Sequence, residues 1–188
     1  MSSTRSVGCY GGHTPKRPDP RREIWASDAA LSLLLAQLIR DVEGRPPDRR
    51  PDWWADRVAG LRVQAVVGDF FLDLALGLDA AQREEFAGLL ADAAARIGDR
   101  RTFTAVEAAG WRVLDDKTVI FRGDRPAATG PVAELGQALA DLIRGTLPAP
   151  PPGHLWYYGA PGGLRTIAMS GLTAAAADAA EPDEEPAR

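Results

Sequence analysis

One cysteine, two histidines and two methionines among 188 residues leave little material for metal or redox chemistry. Cys9 has no partner for an internal disulfide, and no Cys/His cluster with metal-site spacing exists, so a reducing compartment is the default expectation. No run of about 18 apolar residues occurs, which argues against a membrane-spanning helix. The N-terminus also lacks the apolar core and small-residue cleavage site of a secretory signal. These absences together point to the cytoplasm. Nucleophilic chemistry lacks its usual grammar as well: there is no Gly-x-Ser-x-Gly elbow, and no Gly-Lys-Ser/Thr closes a phosphate loop. His13 and Cys9 lie in the first 22 residues, and His154 follows a proline run, so no nucleophile has an evident base beside it. No catalytic set, metal site or cofactor is expected.

Strong charge is missing too. A net charge of −4 and a pI near 5.2 give no general attraction to nucleic acid or to an anionic membrane. The charge that exists is segregated. Residues 1–22 carry five basic side chains and one acid, a net +4, with little apolar material to bury; residues 173–188 carry five acids and one arginine, a net −4. Both read as disordered arms flanking a single α+β domain over residues 23–172, for which 45% hydrophobic content suffices. Scarce Lys, Ile and Asn against abundant Ala, Arg, Gly and Pro fit a GC-rich bacterial genome.

The stretch that organises this reading is Leu61 to Leu78. Taken as a hairpin turned by Gly68-Asp69, it sets Leu61, Val63, Ala65, Val67, Phe70, Leu72, Leu74 and Leu76 on one wholly apolar face. Arg62, Gln64 and Asp73 fall on the other. Wound as a helix, the same residues spread their apolar side chains almost all round, with glycines at 60, 68 and 77. Two further hairpins are expected. One pairs Val113 with Val119 and Trp111 with Phe121 around Asp115-Asp116-Lys117. The other pairs Trp156 with Ile167 and Tyr157 with Thr166 around Pro161-Gly162, the centre of a type II turn.

Helical periodicity marks Glu23 to Glu43, ended by Gly44, and a short segment opening at Pro51-Asp52-Trp53-Trp54. The clearest helix start is Asp79 with Gln82, a capping box that introduces Phe86, Leu89, Leu90, Ala93 and Ile97. Thr104 with Glu107 repeats the box. A further helix over Pro131 to Arg144, capped by Thr129 or Gly130, buries Val132, Leu135, Leu139, Leu142 and Ile143. The fold class expected is α+β: an antiparallel sheet of about six strands built from three hairpins, with three to four helices mainly on one face.

Candidate ligand residues are Arg62, Gln64 and Asp73, as a polar group on the open sheet face, with Arg122 and Arg125 ahead of a helix start where free amides favour an anion. Candidate partner-binding residues are the aromatic anchors Trp53, Trp54, Trp156 and Tyr158, with Arg165 beside them. The absence of a convergent catalytic set favours a non-enzymatic protein-interaction module, of immunity or accessory type, whose partner is another protein. A small-molecule binder or enzyme on the open sheet face is the alternative. An RNA-binding sheet using Trp156, Tyr157, Tyr158 and Arg165 is weaker, since the net acidity opposes it.

Overall fold

The computed structural model describes residues 4–13, 18–67, 71–115, 117–119 and 126–169. Two five-residue stretches of alternating character, Thr4–Gly8 (β1) and Glu23–Ser27 (β2), pair antiparallel, with Val7 opposite Ile24 and Ser6 opposite Trp25. Val7 and Ile24 are fully buried in the core. The segment expected as a basic arm therefore supplies a strand. It has too few apolar residues to fold alone, yet one apolar side chain per two residues is enough for a strand once a partner lies beside it. The helix expected from Glu23 correspondingly begins later, as α1 over Asp28–Glu43. α1 is buried nearly all round, from Ala30 to Ile39, as expected of a helix whose Leu-rich sequence leaves no polar face.

The hairpin expected over residues 61–78 does not form. Trp54–Val66 is a helix, α2, and its buried residues Trp54, Leu61 and Ala65, with Val58 partly buried, follow helical rather than alternating spacing. Of the eight residues expected on one apolar face, Val63, Val67 and Leu76 are 37–49% exposed, while Leu61, Ala65, Leu72 and Leu74 are buried. The apolar-polar alternation from Leu61 to Ala65 coincides with a strand pattern, but the Trp54 and Val58 turns before it fix the helical phase. The Gly68-Asp69 turn and Phe70 lie outside the described residues. Only Leu72–Asp73 (β3) is extended, and it pairs parallel to β1.

α3 (Ala80–Gly98) starts on the Asp79/Gln82 capping box, and its buried side includes the expected Phe86, Leu89, Leu90, Ala93 and Ile97. Thr102–Phe103 (β4) pairs with Ala127–Ala128 (β7), and α4 (Ala105–Gly110) starts on the Thr104/Glu107 box. Arg112–Leu114 (β5) and Lys117–Thr118 (β6) form the second hairpin. Its register sets Arg112 opposite Thr118 and Leu114 opposite Lys117, tighter than the expected three-residue loop and irregular between the two pairs. Asp115 takes the left-handed conformation that a glycine-free turn forces on it (φ 50°). α5 (Gly130–Arg144) has Thr129 at its cap position and Pro131 in its first turn, and packs on α3. Gly136 permits that contact: a Cβ there would lie 2.5 Å from the Ala94 Cβ.

His154–Tyr158 (β8) and Arg165–Ala168 (β9) form the third hairpin around the expected turn. The Gly163 N–H donates to the Ala160 carbonyl at 3.0 Å, and Gly162 takes φ 97°. Its register is one residue from that expected, with Trp156 opposite Thr166 and Tyr157 opposite Arg165. β8 also runs parallel to β2. The main sheet therefore has five strands in the order β3-β1-β2-β8-β9, with mixed parallel and antiparallel pairing, and replaces the expected six-stranded antiparallel sheet. A separate two-stranded β4-β7 pair and the β5-β6 hairpin lie outside it. The α+β class stands.

Candidate functional site: the open face of the sheet

The two faces of the main sheet differ in what covers them. On one face, Arg5, Val7, Ile24, Ala26 and Tyr158 are buried against the helices. Arg5 is the polar member of that layer. Its Nε donates to Asp28 Oδ1 at 2.8 Å, and its Nη1 reaches the Gln64 carbonyl at 2.6 Å and Gln64 Oε1 at 2.9 Å, tying β1 to α1 and α2. Tyr158 meets α5, where burial, followed by the charges of Asp141 and Glu134, pushes its phenol above the usual tyrosine range.

Because side chains alternate along a strand, the residues between these point the other way. Ser6 stands opposite Trp25, Trp25 beside Tyr157, and Tyr157 opposite Arg165, a single transverse row across β1, β2, β8 and β9. Trp25 and Tyr157 are half-buried and belong to no part of the helix-side core; Arg165 is exposed. In the next row Leu155 stands opposite Ile167. The face thus offers two adjacent half-buried aromatic side chains and Ile167 beside a buried Leu155, ending in a cation at the sheet margin.

One end of this face is fixed by a polar network. Glu23 accepts from the Ser6 hydroxyl through Oε1 and from the Tyr10 hydroxyl at 2.9 Å through Oε2. The Tyr10 oxygen accepts in turn from the Asp19 N–H at 3.1 Å. Burial, with Glu23 adding to it, raises the Tyr10 phenol well above its ordinary value despite the Asp19 bond, so the phenol stays a donor. The Arg22 guanidinium lies over the Tyr10 ring at 5.1 Å and donates to the Cys9 carbonyl. Cys9 is buried, and burial raises its thiol above the usual range, with Asp73 adding to the shift, so it is a poor nucleophile.

β9 is the outer strand beside β8, and among the described residues no strand pairs with its far edge. Arg165, Thr166 and Ala168 are exposed and Ile167 is half-buried.

The three residues expected as one ligand cluster are dispersed. Arg62 pairs with Glu43 at 2.5 Å and donates to the Val113 carbonyl, clamping α2 to α1 and β5. Gln64 serves Arg5. Asp73 accepts from the backbone N–H groups of Tyr10, Gly11, Gly12 and Ala75 at 2.7–3.2 Å. Burial alone would raise its carboxyl, but these four donors outweigh it and hold Asp73 below the usual range. Arg122 and Arg125 lie outside the described residues.

Of the aromatic candidates, Trp53 and Trp54 are in the core, 8% and 3% exposed, with Trp53 edge-on to Phe86 and its Nε1 donating to Glu85 at 2.7 Å. Trp156 and Tyr158 face the helices, their rings 6.5 Å apart, with Trp156 Nε1 donating to the Pro148 carbonyl at 2.7 Å. Arg165 alone of the set reaches the open face. Trp25 and Ser6 escaped sequence reasoning because Thr4–Gly8 and Glu23–Ser27 are short strands set against a glycine- and proline-rich segment and a helix; the Ile24/Ala26 against Trp25 alternation was the available signal, and Tyr157 entered only as a residue of the RNA-binding alternative. Among the described residues no group of three His, Cys, Asp or Glu side chains could hold a metal ion, and no helix is long and apolar enough to cross a membrane. Comparison of the chain with protein-family models, with curated proteins and with solved structures yields no match.

Proposed function

We propose that this chain is a non-enzymatic protein-interaction module that receives its partner on the open face and along the β9 edge. The observation that carries the reading is the row Ser6, Trp25, Tyr157, Arg165, which runs across the face turned from the helix-side core and ends on a strand whose far edge is unpaired among the described residues. Tyr, Trp and Arg are the side chains that concentrate binding energy at protein interfaces, since they present large contact area at small entropic cost. A free strand edge adds main-chain donors and acceptors that an extended segment of the partner satisfies by pairing. The buried polar network at Glu23 and the Arg5–Asp28 tie hold this surface rigid, which lowers the ordering cost of association. In this reading the chain acts in the cytoplasm as a bacterial accessory or immunity-type protein, and its partner is another protein.

The test is affinity capture from cells that encode the chain, run in parallel with the wild type and a Trp25→Ala/Tyr157→Ala variant of verified fold. The expected result is a protein recovered in stoichiometric amount by the wild type and lost from the variant. Equal recovery by both, or none by either, removes the proposal.

A further inference from the structure

A second surface, away from the sheet face, has the makings of a small-molecule site. A groove of about 460 Å³ lies between the first turn of α2 and the start of α3. Its apolar walls are Trp53, Leu76 and Leu78, and Leu76 is 49% exposed although Leu74 and Ala75 beside it are buried. Gly77 in the same loop has φ 69°, and nothing lies within 4 Å of where its Cβ would be, so the loop leaves open space above it.

The charged side chains lining the groove form no ion pair among the described residues. Asp52 and Asp56 sit one helical turn apart, are exposed, and have no hydrogen bond or ion pair among the described residues. Arg57 follows Asp56 and shares the Trp53 side of the turn. Its Nη2 donates to the Asp73 carbonyl, its Nε is buried without a partner, and no carboxylate of the described residues pairs with it. Asp73, the nearby carboxylate, is already saturated by backbone N–H donors. Burial accordingly pulls the Arg57 guanidinium below the ordinary arginine range, offset in part by the Asp73 charge. Arg57 is half-buried, and its Nε is closed off from water without an acceptor, whereas buried donors are normally satisfied.

We infer that the groove binds a small zwitterion, an α-amino acid with an aliphatic or aromatic side chain. Its carboxylate meets Arg57, its ammonium meets Asp52 and Asp56, and its side chain lies between Leu76 and the Trp53–Leu78 wall. The paired carboxylates repel a phosphate or a simple organic acid, and the arginine repels a simple amine, so a ligand carrying both charges is favoured over either alone.

The full chain titrated calorimetrically with L-phenylalanine and with L-leucine tests this. Saturable one-to-one binding of at least one is expected, and for that amino acid the N-acetyl and the amide derivative should each bind at least about tenfold more weakly, the loss typical of a charged hydrogen-bond partner. An Asp52→Asn/Asp56→Asn variant, whose exposed side chains serve no fold contact, should show the same loss with an unchanged circular dichroism spectrum. The Trp25→Ala/Tyr157→Ala variant should bind as the wild type does, which separates this site from the sheet face. No saturable binding of either amino acid overturns the inference. So does an amide that binds as tightly as its parent, because the groove would then read an amine alone, such as a basic side chain of a protein partner.

Discussion

Arg5 and Asp28, 23 residues apart in sequence, form an ion pair at 2.8 Å with both side chains only 2% exposed. Arg5 Nη2 and Asp28 Oδ2 have no partner among the described residues, so the pair is incompletely satisfied. Removing one member strands a buried charge, which in general costs about 3–5 kcal/mol, whereas replacing both by apolar side chains of similar volume is near neutral. Asp28→Leu should therefore lower unfolding stability by that order, and Arg5→Met/Asp28→Leu should recover only part of it, since Arg5 also donates to the Gln64 carbonyl and Oε1. Urea unfolding of the three chains checks this, and a double variant no better than the single would show that the pair also defines where β1 docks.

Asp73 fastens the Tyr10–Gly12 turn to β3 by accepting its three backbone N–H groups, with the Ala75 N–H as a fourth donor. Its carboxyl is depressed in the fold, so the stability it contributes is present above the unfolded-state value, about 3.9. That contribution is lost as pH falls through the lower folded value. Asp73→Ala should cost about 1–3 kcal/mol at neutral pH, the range for stranding hydrogen-bond donors. Below pH 4 the difference from wild type should shrink. Denaturant midpoints measured from pH 7 to pH 2.5 give both the size and the sign.

Two helical glycines have opposite expected responses to the same substitution. A Cβ on Gly136 would lie 2.5 Å from the Ala94 Cβ and 2.9 Å from Leu34 Cδ1, so Gly136→Ala must push α5 from α3, at about 1–3 kcal/mol. Gly88 in α3 has nothing within 4 Å of the same position, and Gly88→Ala should stabilise by roughly 0.5–1 kcal/mol through helix propensity. Thermal unfolding of the two variants should bracket the wild type.

What the sequence disclosed was local. Asp79 with Gln82 and Thr104 with Glu107 are capping boxes in the structure because the bonds that define them span three residues. The Ala160–Gly163 turn is legible for the same reason. Pairings between distant segments were not. β1 has no helix or strand signal stronger than its neighbours, and its place depends on β2, 15 residues on, and on Asp28 and Gln64. Residues 61–65 alternate as a strand would, and only their continuity with Trp54 and Val58 reveals the helix. Arg62, Gln64 and Asp73 were grouped by that misread alternation, and once α2 turns at 3.6 residues per turn each finds its own partner. The open face was recognised as a category, but Ser6 and Trp25 came from strands hidden in misread segments, while Tyr157 and Arg165 came from the hairpin that was legible.

The aromatic side chains separate into those that hold the fold and those that face outward. Trp54 is 3% exposed in the hydrophobic core beside Trp53, and Trp54→Ala should cost about 3–5 kcal/mol, the range for emptying a buried tryptophan site. Trp25 and Tyr157 touch no part of that core and are half-buried against each other's strands. Truncating either removes two cross-strand pairs, each worth roughly 0.2–1 kcal/mol, together with part of its area burial. Their stability loss should therefore fall well below that of Trp54→Ala, while their effect on partner capture should be the larger. Urea midpoints and capture yields measured on the same three variants decide the matter: a Trp25→Ala chain as destabilised as Trp54→Ala would make the row across the sheet a second core.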